Sequence, residues 1–558
     1  TMTTAVVDFI RGNTGELIPN GTGGFDLPSP RVPRAARLGP LINTVPSIVG
    51  SPAAYEQGKV EDHDVFQTDY KDRRPMIWIG ANDGMLHAFD FETGDEVVAI
   101  LPPQILGRQV ELRDNFNRVI EKPGPPVTYE KSPTSLTGQP DDLTNIYGVA
   151  GSLRFGDVHF GADGYRTVGF LTLAEAGDLV AAIDITHPYP GSVTPAVDPD
   201  PEYGIFSGTN TGLPVKILWQ KTATELPGLK TTWSLPALAA RSFDKWSILF
   251  GAGHDESNIF TSNSTVPNIF QLDPVDGTPV TGSAEAPLGN QASTPWVGNQ
   301  TFADGVQIEH DASAFRSDNL ADLGLQADLN GRIWFIDPSK STSPVVGIDA
   351  NAVASRVGET LRDEVSQPLY YPPSAGGFGD PPSTGCNVFS FGSGTFYEVS
   401  SRVNSLATGQ PGSFIPSLYF ASNSKNTYTT PIDPDDVLRI PISTIKRCVG
   451  CTDTLSPRSQ LAAAPYLLID PRGISASVAV FIIYDPTVGC YGKSYAVAVS
   501  FEAPNCSIPL SIQSGTSGAT NDTSIPGAIV RTAEMGEGVA SGVTSVGDIS
   551  YTAVACIG

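Results

Sequence analysis

From about residue 35 onward, short apolar runs alternate with clusters of turn-forming residues to the end of the chain. The clearest unit is the run 76–80 (Met-Ile-Trp-Ile-Gly), the tetrapeptide Ala81-Asn82-Asp83-Gly84, and the run 85–90 that ends in Asp90. Asn-Asp-Gly between two apolar runs predicts a β-hairpin, because Asn and Gly accept positive φ. His87 falls inside the second strand, where a packed and hydrogen-bonded histidine is expected. Residues 91–96 then make a further turn into the apolar run 97–100. The longest apolar run, 478–484, has the length of a strand and falls well short of the roughly 18 residues a membrane-spanning helix needs.

The unit recurs in degraded form. Leu179 to Asp184, Asn268 to Asp273 and Gly331 to Asp337 are each a short apolar run ending in Asp, followed by a turn bearing Pro or Gly. An Asp at that position can accept backbone N–H bonds from the turn and so fix the exit of the strand. Repeated β-meanders bury their faces against one another, and radial repetition protects their edges. A four-stranded blade takes about 40–50 residues. The pattern therefore predicts an all-β chain, a β-propeller with insertions over residues 35–558, preceded by a linker or tail over 1–34. The chain exceeds what seven blades require, so long insertions are expected at about 121–147, 193–215, 257–300, 368–385 and 507–535. Cysteine-containing blades begin at about residue 440.

Composition narrows the class. The 558 residues include 57 glycines and 47 prolines, nearly one in five, which excludes a coiled coil or helical bundle. No Gly-X-Y period exists, so the chain is not collagen-like. Apolar residues at 40% are enough for a large core. A net charge of −25 argues against binding of duplex nucleic acid, which needs a basic face. The N-terminus shows no basic and apolar signal segment, so the chain is expected to be a mature protein or a fragment. Five of the six cysteines lie after residue 440, and no histidine follows His310, which fits a disulfide framework in an exported protein better than a metal site. Cys448 and Cys451 have the spacing of a redox pair, but a structural disulfide is the expected state, since no thioredoxin-like pattern surrounds them. Cys490 and Cys506 flank a predicted strand and could staple a hairpin. Gly492-Lys493-Ser494 lacks the earlier glycine of a phosphate loop, because position 487 is Thr. Neither a Gly-x-Ser-x-Gly elbow nor a His-Glu-x-x-His pair occurs.

The unit around 78–90 resembles the repeat of PQQ-enzyme propellers. As a whole the chain resembles the C-terminal domain of the PilY family, bacterial type IV pilus biogenesis factors and tip-associated adhesins. The segments 38–50, 78–90, 246–253, 327–335 and 391–397 follow that family's order, with the resemblance strongest over residues 35–425. It implies a modified seven-bladed β-propeller, non-enzymatic and extracellular, exposed on the bacterial surface or pilus tip. Such a protein would work with minor pilins in pilus assembly and attach to host or abiotic surfaces, with no nucleic-acid partner and no membrane span. The rival readings are a quinone-dependent dehydrogenase and a structural subunit of a surface filament. Against the first, no two cysteines are adjacent.

The resemblance also implies a calcium loop just before the strand 327–335, with calcium the one ion it admits as cofactor. By spacing from Asp328, the matching ligands are the side chains of Asp318 and Asp322 and the carbonyl of Leu320. Two further ligand positions are Ala314 and Arg316. A guanidinium in the loop repels a divalent ion and can itself neutralise both aspartates, so Arg316 is expected to stand in for the ion.

Overall fold

The computed structural model describes residues 2–13, 18–20, 22, 25–27, 29–30, 33, 38–41, 44–52, 63–113, 147–186, 215–242, 245–253, 269–280, 306–309, 321–329, 331–336, 345–356, 367–378, 386–394, 415–424, 430–448, 451–468, 477–489, 491–501, 508, 512–514, 528–537, 540–545 and 553–557. After a small pair, β1 (Ile18–Pro19) with β2 (Phe25–Asp26), the chain lays down sheets one after another, each an antiparallel meander. The first holds β3 (Ser47–Val49), β4 (Met76–Gly80), β5 (Leu86–Asp90) and β6 (Glu96–Ile100). The second holds β7 (Leu153–His159), β8 (Tyr165–Thr172), β9 (Val180–Asp184) and β10 (Lys216–Lys221). The third holds β11 (Ala237–Ser242), β12 (Lys245–Gly251) and β13 (Ile269–Leu272). The fourth holds β14 (Val306–Glu309), β15 (Ala321–Ala327), β16 (Arg332–Ile336) and β17 (Val345–Asp349). The fifth holds β18 (Ser374–Phe378), β19 (Cys386–Gly392), β20 (Ser417–Ser424) and β21 (Leu438–Pro441).

The sixth sheet is larger. β22 (Gln460–Leu461) and β23 (Tyr466–Leu468) share one side of β24 (Ser477–Asp485), followed by β25 (Lys493–Phe501) and β27 (Ala528–Glu537). β26 (Ile512–Ser514) joins β27 in parallel. A last pair, β28 (Ala540–Ser545) with β29 (Ala553–Ile557), has β28 in contact with β24.

The sheets pack in sequence, and the edge strand that opens each of the first five touches an edge strand of the next: β3 with β7, β7 with β11, β11 with β14, β14 with β18, and β18 with β23. The contact between the first two is partly polar, through Val45 N to Ser152 Oγ at 2.7 Å and Ser47 Oγ to Leu153 O at 2.5 Å. Because side chains alternate faces along a strand, a sheet between two others must be apolar on both. The second sheet meets this requirement. Leu171, Ala181 and Ile183 join Met76, Trp78 and Leu86 of the first sheet, while Phe170, Val180 and Ala182 join Trp246, Ile248 and Phe250 of the third. Leu249 and Ile269 pack on Trp334 and Ile336, then Phe335 on Phe389, then Phe420 on Phe481, carrying the same scheme to the sixth sheet. Outward edges are guarded. The pairs β5–β6, β9–β10 and β16–β17 each carry a register shift, and β21 ends in Pro441.

Tight sheet contact demands glycine at Gly151, where a Cβ would run into the carbonyl of Thr172. Gly151→Ala is expected to cost about 1–3 kcal/mol through forced backbone displacement, read as a lowered urea midpoint with unchanged m-value.

The structure departs from the sequence expectation at three places. The segment expected to be a linker opens with helix α1 (Met2–Ile10), whose Ala5 and Phe9, one turn apart, are buried, Phe9 against Val49 and Trp78. Helix α2 (His63–Tyr70) interrupts the first sheet between β3 and β4, and its Phe66 and Tyr70 pack in the core of the second and third sheets. The stretches 368–385 and 507–535, expected as insertions, contain β18, β26 and the start of β27. Pro and Gly richness misled there, since edge strands tolerate both.

Candidate functional site

The hairpin at residues 81–85 is a junction for four pieces of chain. Asn82 N donates to Pro40 O at 2.9 Å, and Gly39 N donates to Asp83 Oδ2 at 3.0 Å, so the segment leading to β3 is pinned on the turn. Gly148 N donates to Asn82 Oδ1 at 2.6 Å, bringing in the approach to β7. Gln109 Nε2 donates to Asp83 O at 3.1 Å from the segment after helix α3 (Pro103–Leu106). Gly84 has φ +96°, and a Cβ there would strike the Gln109 amide. The short sequence Asn-Asp-Gly is thus fixed twice over, by turn conformation and by close approach.

His87 lies beneath this turn, 3% exposed. Its Nε2 is 3.1 Å from Asp83 Oδ1 and its Nδ1 is 2.5 Å from Glu96 Oε1 on β6. A neutral imidazole carries one N–H and cannot donate to two carboxylates, so this geometry calls for the imidazolium. Burial alone would lower the His87 pKa, but the hydrogen bonds and charges of Asp83 and Glu96 reverse that and raise it above its ordinary value. The expected role of a packed, satisfied histidine is what the fold realises.

The strand-end aspartates act as turn acceptors, as their positions predict. Asp90 Oδ1 accepts from Glu92 N and Thr93 N at 2.7 and 2.8 Å. Asp184 Oδ1 accepts from Thr186 N and Asp273 Oδ1 from Val275 N, and Asp485, which the sequence did not single out, accepts likewise from Thr487 N. Asp337 lies outside the described residues. Arginines that the sequence did not flag complete three of these devices: Arg74 at Asp90, Arg166 at Asp184 and Arg447 at Asp485. Another buried network escaped sequence reasoning. His63 of α2 and Thr167 of β8 both bond the Asp157 carboxylate, at 3.0 and 2.7 Å, and Arg73 Nη1 reaches Thr167 Oγ1 at 2.7 Å. These partners are 94 residues apart in the case of His63 and Asp157, beyond the reach of any local pattern.

Of the expected calcium ligands, Asp318 and Leu320 lie outside the described residues, as do Ala314 and Arg316. Asp322 is in strand β15, which pairs with β14 and shifts register beside it, between Ile308 and Glu309. Among the described residues, no group of three or more His, Cys, Asp or Glu is placed to hold a metal. Asp328, which marks the spacing, is buried and structural: its carboxylate takes Trp334 Nε1 and Arg332 N, each at 2.9 Å. Burial pushes it up to about 6, against the pull of Arg332 and the Trp334 hydrogen bond. Cys448 and Cys451 form the expected disulfide, and Cys386 is also disulfide-bonded. Cys490 and Cys506 lie outside the described residues.

Successive antiparallel sheets, strand-end aspartates and the Asn-Asp-Gly junction define an all-β protein of stacked meanders. No protein-family model matches the chain. Over 225 residues, 39% of this chain and 14% of the relative, it is 27% identical to a type IV pilus biogenesis factor PilY1 homolog of Xylella fastidiosa. Over 341 residues, 59% of this chain and 22% of the relative, it is 25% identical to the type IV pilus biogenesis factor PilY1 of Pseudomonas aeruginosa. The matched region thus spans a minor part of either relative. The crystal structure of the Pseudomonas aeruginosa PilY1 C-terminal domain superposes with a TM-score of 0.51 at 16% identity, covering 91% of this chain and 97% of that one. A quinohemoprotein alcohol dehydrogenase from Comamonas testosteroni reaches a TM-score of 0.32. In sequence the chain is thus similar to PilY1 pilus biogenesis factors, and in fold to the PilY1 C-terminal domain.

Proposed function

We propose that this protein acts outside the cell in type IV pilus biogenesis, supporting pilus assembly and surface attachment at the pilus tip by protein–protein contacts and without catalysis. The likeness to the PilY1 C-terminal domain over nearly the full length of both chains carries this reading. Its partners in the proposal are minor pilins on one side and a host or abiotic surface on the other. The sheets serve as a rigid hub, and recognition belongs to the loops between them. In the same reading the last pair, β28–β29, which contacts β24 of the sixth sheet, belongs to a seventh blade. Deleting the gene is expected to remove surface pili while leaving cellular pilin levels unchanged. Normal piliation in the deletion strain overturns the proposal.

For the loop before β15, we propose that Arg316 neutralises Asp318 and Asp322 and keeps the loop folded without calcium. Calorimetry is expected to show no binding in the micromolar range, the range of regulatory calcium sites. Micromolar binding that Asp322→Ala abolishes is the contrary result.

A further inference from the structure

The sixth sheet presents two loops that share a single carboxylate. β24 and β25, each of nine residues, form a hairpin whose tip carries Tyr491. That side chain is 73% exposed, more than any other large apolar or aromatic side chain among the described residues. The tip backbone is nevertheless fixed. Tyr484 Oη donates to Tyr491 O at 2.9 Å, and Gly492, at φ +69°, lies against the Tyr484 ring where a Cβ would collide. Where the strands enter the tip sits Asp485, fully buried. One oxygen accepts from Thr487 N and Oγ1, at 3.0 and 2.6 Å. The other accepts from Ser456 N and Arg447 Nη2, both at 3.1 Å.

Those last two donors belong to the neighbouring loop. It is braced by the Cys448–Cys451 disulfide, by the bridge between Lys446 and Thr454, and by Arg447 N to Asp453 O at 3.0 Å. Asp485 therefore locks a cross-linked loop and an aromatic hairpin tip into one unit. Charge sets this unit apart from the rest of the chain. It carries Lys446, Arg447, Arg458 and Lys493 against Asp453 and Asp485, in a protein of net charge −25. Arg447 is committed to Asp485 and Lys493 to Glu534, whereas Lys446 and Arg458 face solvent.

We infer that this paired-loop tip is a protein-docking surface, on which Tyr491 enters an apolar slot of a partner whose surrounding surface is acidic. A rigid aromatic side chain gives contact area at little entropic cost, and tyrosine is enriched among the residues that dominate interfaces. Lys446 and Arg458 steer the acidic partner and fix its orientation. The inference rests on the proposed pilus role, in which the partner is a subunit of the filament.

The test is binding of the whole protein to type IV pili sheared from the cells that produce it, followed by surface plasmon resonance. Tyr491→Ala is expected to weaken binding about tenfold or more, with thermal midpoint and circular dichroism unchanged. Lys446→Glu with Arg458→Glu is expected to slow association and flatten its salt dependence. The Cys448→Ser, Cys451→Ser pair is expected to weaken binding by a smaller factor, since it loosens the loop and leaves the tyrosine in place. Wild-type affinity in both the Tyr491 and the double-charge variants overturns the docking surface and leaves the pilus role standing. Failure of the wild-type protein to bind filaments overturns the docking surface as well, while the pilus role is judged separately by piliation of the deletion strain.

Discussion

Asp184→Ala is expected to be the most damaging single substitution, costing about 3–5 kcal/mol, because it removes the buried one of the two carboxylates that Arg166 meets, Asp184 and the exposed Asp163, and leaves the turn donors unmet. Asp184 closes β9 with no exposed surface, and its Oδ2 receives Arg166 Nη1 at 3.2 Å. The Arg166 side chain is 13% exposed and its guanidinium stands 5.0 Å from the Phe160 ring centroid, so it has little room to turn to water. The other oxygen holds Thr186 through N at 3.0 Å and Oγ1 at 2.6 Å. Thr186 Oγ1 in turn accepts from Thr167 N, and Thr167 Oγ1 donates to Asp157, which holds His63. The loss therefore spreads along a chain of bonds joining the second sheet to α2. Asp184→Asn keeps an acceptor for the turn and is expected to cost less, about 1–3 kcal/mol. Asp276→Ala, at an exposed turn where Asp276 accepts only from Thr278 in the bonds described, is expected to cost less than about 1 kcal/mol. Urea midpoints of the three variants provide the ranking. Equal midpoints for Asp184→Ala and Asp276→Ala contradict it.

Removing the His87 cation comes next. His87→Gln is expected to cost about 2–4 kcal/mol at pH 6, since Asp83 and Glu96 lose the cation between them. The effect has a definite pH sign. The folded pKa is raised above the ordinary histidine value of about 6.5, so stabilisation by the bound proton is complete below that value. It is lost as pH climbs through the raised folded pKa. The stability gap between wild type and His87→Gln should therefore be widest near pH 6 and shrink toward pH 9, measured by urea unfolding at each pH. A gap that grows with pH contradicts the imidazolium assignment. Because Asp83 also holds Gly39, hydrogen exchange of the Gly39 amide is expected to quicken in the variant.

The sheet order and the turn chemistry were legible in the sequence because both are local. Two-residue alternation and the Asp that ends a strand act within a few positions, and Asn82-Asp83-Gly84 announces its hairpin without help from elsewhere. Helix α2 was not legible. His63 to Tyr70 buries only two apolar side chains, Phe66 and Tyr70, and those are satisfied by a core built from residues about 100 to 200 further along. The N-terminal helix failed for the same reason: Phe9 has meaning only once Trp78 is beside it. The sequence named His87 and left it a default buried histidine. Its two carboxylates come from opposite ends of a meander, Asp83 in the turn before β5 and Glu96 at the start of β6.

By itself, then, the sequence determined the all-β class, the succession of meanders and the turn aspartates. Each of these depends on neighbours within reach of a few bonds. Tertiary structure alone decided which charges meet: Arg166 with Asp184, His63 with Asp157, Arg447 with Asp485, and both loops with the one carboxylate beneath Tyr491. A buried carboxylate is stable only when donors from other parts of the chain arrive to satisfy it, and the packing of sheet upon sheet brings those donors together.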